Sequence, residues 1–418
     1  MDILTYTEAH QRFRERLREF CETEIMPHVD QWENDHIVPR EIWQKMGRGG
    51  FLCPTLPAAY GGLGGDFIHC LIVTEELSRT MQTGLAAGLH SDVVVPYIEA
   101  FGSDEQKRTY LPGCVSGDCI TAVAMTEPGA GSDVAGMATT AVEDGDTVVL
   151  NGSKTFISNG VICDLVVLAA KDPAVENKHQ AVSLYVVEAG TPGFEKGTQL
   201  EKMGWHSQDT AELFFTNCRI PKHNRLGEKG TGFFMLMGKL QQERLVCCMG
   251  GVVAAERILE YTMAQCRRTT AGGKPLSKSQ AVQFALVEMA TEAKLGRTFM
   301  EKLIAEHMAG ENIIVETSMA KYWTTEMARR VADQAMDLVG HEATLEKCPR
   351  CFAELREPWQ FCPSCGLPLD PALSSDSEIS SPNRRYSRGR SKKSARSVAR
   401  TLTREPSVST ASVKTLMN

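Results

Sequence analysis

The chain has 418 residues, 42% hydrophobic and 23% charged, with a formal net charge of −7, which fits a soluble globular protein with room for two or three domains. The charge is uneven: residues 366–418 hold ten Lys/Arg against four Asp/Glu, a local +6, so residues 1–365 carry −13. An acidic body excludes a nucleic-acid-binding core and leaves only the basic tail to meet polyanions.

The opening, MDILTYTEAHQRFRERLREFCETEI, places Phe13, Leu17, Phe20 and Ile25 at helical intervals, with Thr7 as N-cap. It shows no signal-peptide pattern. Helical patterns run on through HCLIVTEELSRTM and SDEQKRTYLPGCV to about residue 118. From about 120, short β-branched and aromatic runs such as DTVVLNGSKTFIS, DLVVLAA, AVSLYVVEA and AELFFTNCRI, bounded by Gly, Asn and Pro, predict a compact β domain. From about 230, three long amphipathic stretches predict a helical bundle. The Gly-rich spots YGGLGGDF and AGGKPL lack the context of nucleotide-binding loops and read as turns.

Fourteen cysteines are present; ten are scattered, which with no secretory signal predicts free thiols in a reducing compartment. The longest apolar run, LVCCMGGVVAA, is too short to span a bilayer. The compartment expected is the cytoplasm, or the mitochondrial matrix for a mature eukaryotic chain. The other four, Cys348, Cys351, Cys362 and Cys365, form C-x2-C-x10-C-x2-C. Two such knuckles point four thiolates at one ion, the closed tetrahedral set that a structural Zn2+ takes. This zinc ribbon also resembles modules appended to many microbial proteins. Beyond it the Ser- and Arg-rich tail has too few apolar residues to order itself.

Two spots carry chemistry. AVAMTEPGAGSDVAGM (122–137) is a polar turn after an apolar strand, with hydroxyls at Thr126 and Ser132. Its amides cradle a phosphate on one reading; on the other it is an ordinary turn. QQERLV puts Glu243 on a helix, where composition alone reads a solvated face.

The first of these stretches resembles the signature of the acyl-CoA dehydrogenases. LNGSKTFISNG (150–160), KMGWHSQDTAELFFTNCRIP (202–221), GEKGTGFFMLMGKLQQERL (227–245) and SMAKYWTTEMARRVADQAMDLVG (318–340) resemble it in the same order, nearest the long-chain and isovaleryl-type branches. The resemblance covers residues 1 to about 340. It implies an α+β multidomain protein: a helical N-terminal domain (1–120), a β-barrel middle domain (121–228) and an incomplete C-terminal helical bundle (229–341). The zinc ribbon (346–368) and a disordered tail (369–418) follow.

The activity implied is FAD-dependent α,β-dehydrogenation of acyl-CoA thioesters to trans-2-enoyl-CoA. Glu243 aligns with the base that takes the α-proton, while hydride passes to flavin N5. Val123, Ala124, Met125, Thr126, Ser132, Phe156, Ile157 and Ser158 align with flavin contacts. Ser132, Phe234, Gln241 and Arg244 align with substrate contacts. Gln280 aligns with a residue that reaches FAD in a neighbouring subunit, implying a homo-oligomer, dimer or tetramer. Electron-transferring flavoprotein is the implied electron acceptor.

The family's FAD-phosphate arginine falls on Thr269, with Arg268 one place away, and the following aromatic falls on Gly272. The adenine-side loop aligns with Asp337 to His341, keeping only Gly340, and the resemblance stops before the family's last two helices. A second reading is therefore an impaired relative that acts as an interaction module through its ribbon and tail.

Overall fold

The computed structural model describes residues 3–271 and 273–339. The expected zinc ribbon and tail lie outside the described residues, as do Gly272, Gly340 and His341. The N-terminal helices are α1 (Glu8–Phe20), α2 (Val29–Asp35), α3 (Arg40–Arg48), α4 (Phe67–Arg79), α5 (Val95–Phe101) and α6 (Asp104–Ser116). Thr7 caps α1 as expected, in a reciprocal box with His10; Asp66 and His69 repeat the device on α4. The Thr7 amide donates to His10 Nδ1 at 3.0 Å, so His10 Nε2 carries the proton and donates to Asp66 Oδ1 at 3.0 Å. Two helix starts are thereby tied together.

Strands β1 (Thr121–Ala124), β2 (Thr140–Asp144), β3 (Thr147–Ser158), β4 (Leu165–Lys171), β5 (Val182–Glu188), β6 (Phe194–Gln199), β7 (Thr210–Pro221) and β8 (Arg225–Leu226) form one eight-stranded sheet. The short α7 (Lys178–Ala181) precedes β5. The strand path runs β6-β7-β3-β2-β4-β5-β8, with β1 parallel to β4. A closed barrel was the expectation; the described sheet is open, with β6 and β8 at its ends. Its two halves meet at a single parallel pair, Thr140 with Lys171, and side chains from both halves share one core.

The pleat of β4 and β5 divides two cores. Val166, Leu168, Ala170, Tyr185 and Val187 fill the sheet's own interior. Leu165, Val167, Ala169, Leu184 and Val186 point the other way and pack on the helices. Strands buried on both faces read as continuous apolar runs, which is what DLVVLAA is.

The bundle is α8 (Gly232–Arg268), α9 (Gln280–Met308) and α10 (Ile314–Val339), with a hairpin of β9 (Thr270–Ala271) and β10 (Lys274–Pro275) between the first two. Gly251 lets α8 approach the α10 backbone: a Cβ there would sit 3.2 Å from the Thr324 carbonyl oxygen. Among the described residues no helix is long and apolar enough to cross a membrane. All ten described cysteines are free thiols.

One buried carboxyl stands without a cation. Asp92 is 3% exposed in the wide turn Leu89–Val94 before α5. Burial pushes its pKa from 3.8 to about 7, with a Cys70 hydrogen bond opposing. The unfolded chain ionises it first, so this group costs stability progressively as pH rises from the ordinary carboxylate range to about 7. Asp92→Asn is expected to raise Tm, with a larger gain over wild type at pH 8 than at pH 5. A pH-independent difference in calorimetric melting curves would contradict the assignment.

Candidate active site

The first half of the site is built on a buried ion pair. Lys154 on β3 and Glu127, just past β1, are 0% and 4% exposed in their side chains and meet at 2.8 Å. Lys154 Nζ also donates to the Met125 carbonyl at 3.0 Å. Burial pulls the lysine pKa down, with Glu127 opposing. Burial alone would raise the Glu127 carboxyl, but the Lys154, Thr139 and Ala138 hydrogen bonds outweigh it and hold the pKa low. Glu127 accepts from the amides of Ala138 (2.5 Å) and Thr139 (3.0 Å), closing residues 127–139 into a loop. The Thr155 amide donates to the Thr126 carbonyl at 2.9 Å and fastens that loop to β3.

Within the loop, the amides of Gly129, Gly131, Ser132 and Asp133 donate to no described residue. Cβ atoms built on Gly129 and Gly131 meet nothing within 4 Å. An exposed row of free amides beside small residues can receive an anion. The register of β3 against β7 shifts between Lys154 and Ile157, and there Phe156 stands out, 69% exposed with φ +58°. A bulky residue in the left-handed region at a bulge marks a constrained position. Ser158, half-buried, follows at the end of β3.

Not every residue aligned with flavin contacts turns its side chain to this surface. Ala124 and Ile157 are buried in the sheet core, so only their backbone is available. Val123 and Met125 alternate with them and face the helices. Trp205, 65% exposed with φ +57°, was not singled out in the sequence. Its carbonyl accepts from the Gln208 amide, and Gln208 donates to Asn159 beside Ser158. A tryptophan after a glycine carries no local sign of exposure.

The second half rests on α8. Glu243 is half-buried, and its Oε1 accepts from the Tyr97 hydroxyl on α5 at 2.6 Å. Burial pushes the Glu243 pKa up; Tyr97, Arg244 and Lys239 oppose this without cancelling it. It is therefore a desolvated carboxylate, more basic than a surface one. The two halves are joined through the wide turn before α5. His90 bridges Thr121 at the start of β1 (2.8 Å) and the Cys114 carbonyl (3.0 Å), and burial lowers its pKa to about 4, keeping it neutral. Gln242 donates to the Asp92 carbonyl at 2.7 Å.

Phe234, one end of α8, is 59% exposed. Gln241 and Arg244 lie on another face of α8. Gln241 brackets the α9–α10 turn, accepting from the Ile313 amide at 3.0 Å and donating to the Glu311 carbonyl at 3.1 Å. Arg244 donates to Ser318 on α10 at 2.9 Å. Arg268 and Gln280 are exposed on either side of the hairpin, and neither side chain has a hydrogen-bond partner among the described residues. Arg268 is about 38 Å from Glu243 along α8 at 1.5 Å per residue.

Family models for the acyl-CoA dehydrogenase N-terminal, middle and C-terminal domains match residues 7–118, 122–218 and 230–356. The long-chain specific acyl-CoA dehydrogenase of Sus scrofa mitochondria is 41% identical over 336 residues, 80% of this chain and 78% of that protein. An acyl-CoA dehydrogenase of Bacillus subtilis is 32% identical over 82% of this chain and 90% of its own. The crystal structure of acyl-CoA dehydrogenase from Geobacillus kaustophilus superposes with a TM-score of 0.81 at 50% identity, covering 84% of this chain and 94% of that one.

Lys154→Met leaves Glu127 charged and buried alone and is expected to cost about 3–5 kcal/mol. Adding Glu127→Leu is expected to recover a large part of that loss. Urea denaturation of both variants checks the pair; additive losses would show the two groups to be uncoupled.

Proposed function

The chain belongs to the acyl-CoA dehydrogenase family, and from that premise we propose that it converts acyl-CoA thioesters to trans-2-enoyl-CoA with Glu243 as the base. The observation that carries this is a half-buried carboxylate on α8, raised in pKa and held by a single hydroxyl donor. FAD fits the residues present. The free amides of Gly129, Gly131, Ser132 and Asp133 suit a pyrophosphate, and the exposed Phe156 ring with the Ser158 hydroxyl suits one side of the isoalloxazine. When bound, FAD supplies the acceptor for the β-hydrogen.

The chain's own part is acid–base and steric. Glu243 takes the α-proton, and its desolvation raises its affinity for that proton as negative charge develops on the thioester. Thr126 and Ser132 hydroxyls at the mouth of the loop orient cofactor and acyl thioester. Phe234 lines the substrate's approach. Gln241 and Arg244 act by fixing the α9–α10 turn against α8. Arg268 and Gln280, exposed and remote from Glu243 in their own chain, reach the cofactor of a second copy, so the working form is a homo-oligomer. Electron-transferring flavoprotein is the acceptor that reoxidises the enzyme. Cys348, Cys351, Cys362 and Cys365 bind one structural zinc; purified protein is expected to hold about one zinc per chain and to lose it when two of the four are replaced.

The purified protein is expected to show a flavin absorption band that bleaches anaerobically with an acyl-CoA. Because the base acts ionised and its pKa is raised, the bleaching rate rises with pH above the ordinary carboxylate range. Glu243→Gln should keep the flavin and abolish the bleaching. A colourless protein that takes up no added FAD would overturn the enzymatic reading in favour of an interaction module.

A further inference from the structure

We infer that Tyr97 is a positioning residue for Glu243: its hydroxyl occupies Oε1, leaving Oε2 as the oxygen that receives the substrate's α-proton. The inference rests on the reading of Glu243 as the base and extends it to a residue 146 positions away in the chain.

Three observations carry it. Tyr97 is fully buried, and its hydroxyl has one hydrogen-bond partner among the described residues, Glu243 Oε1 at 2.6 Å. An O–H donor to a carboxylate at that distance is short and charge-assisted, strong enough to set the rotation of the carboxyl group. The placement of Tyr97 is itself constrained. Leu89–Val94 is a π-type turn, and α5 follows it with Pro96 in the first helical turn. A widened turn shifts the face of the helix that follows, and such turns concentrate at functional positions. The turn is anchored on both sides, by His90 to Thr121 and by the Asp92 carbonyl to Gln242, the neighbour of the base. Glu243 therefore sits between two fixed points, its own backbone and the Tyr97 hydroxyl.

The groups around Glu243 leave this role to Tyr97. Lys239 and Arg244 on its own helix attract its charge. Arg244, however, is held by Ser318, and Lys239 stands 5.7 Å from the centre of the Phe101 ring. Neither donates a hydrogen bond to the carboxyl in the described structure. Cys247 lies one turn on and is exposed, and the partial loss of water around its sulfur shifts the thiol pKa up, not down. Glu99 attracts Lys239, and Lys239 adds to burial in lowering the His307 pKa. Tyr97 alone bonds to the base and opposes the effect of burial by direct donation.

The test is Tyr97→Phe in the flavin-loaded protein, which keeps the ring and removes only the hydroxyl. The pH profile of anaerobic substrate-induced bleaching is expected to move up by about one unit, the size of a hydrogen bond to a charged group. Its plateau should fall about tenfold, with flavin content held. A profile that superimposes on wild type overturns the inference. Infrared titration of 13C-glutamate-labelled protein, with the Glu243 band assigned by its loss in Glu243→Gln, separates the two layers. If that band moves up in Tyr97→Phe while Glu243→Gln still bleaches, Tyr97 does hold Glu243 but Glu243 is not the base. If the band does not move, Tyr97 does not hold it, whatever Glu243 does.

Discussion

The Glu127–Lys154 pair is the constraint from which the cofactor-side surface follows. Charges this deeply buried are rarely stabilising against an apolar substitute; their value is in specifying geometry. Here the geometry is a loop closed at 127 and 139 by one carboxylate. The lysine that neutralises that carboxylate comes from the strand carrying Phe156 and Ser158. Lys154 also grips the Met125 carbonyl. One pair thus sets the loop's amides and the exposed ring of Phe156 at a fixed separation. An apolar pair of equal volume would hold the strands together, but it would not choose which carbonyl and which amides meet.

Helix α8 distributes the rest. About 55 Å long at 1.5 Å per residue, it sends Leu245, Cys248, Met249 and Val252 into the core and leaves three other sectors for separate tasks. Glu243 faces α5, Gln241 and Arg244 face α10 and the turn before it, and Arg268 ends the helix in solvent. A helix turns residues one or two apart to different faces, so adjacency in QQER does not mean a shared site. The length of α8 sets Arg268 about 38 Å from Glu243, which is the physical basis for proposing that Arg268 serves a second copy.

Much of this was legible in the chain itself. The first of the three long stretches expected from about 230 is α8 (Gly232–Arg268), an unbroken amphipathic pattern that Thr269 ends in an extended conformation. Thr7 was readable as a cap because capping is local. The closed barrel was not found, since closure depends on hydrogen bonds between sheet edges and alternation of side chains looks the same in an open sheet. The substrate positions assigned to Gln241 and Arg244 came from likeness, and their bonds to Ile313, Glu311 and Ser318 lie 70 or more residues away. Tyr97 was invisible for the same reason. A tyrosine in VPYIEAF reads as core, and only the fold shows that its hydroxyl meets a carboxylate.

Two acids, Asp92 and Glu243, show burial acting to opposite ends. Both are pushed up because their charged forms lose water, and neither has an ion-pair partner. At Asp92 the result is a cost, since nothing reacts there and the thiol of Cys70 is a weak donor. At Glu243 the same loss of water makes a proton acceptor from a residue that would be a poor one on the surface. The difference lies in the partner. Tyr97 is a donor strong enough to keep the carboxylate oriented yet neutral, so it adds no positive charge to restore an ordinary acidity. A guanidinium in its place would have made a firm ion pair and a weak base.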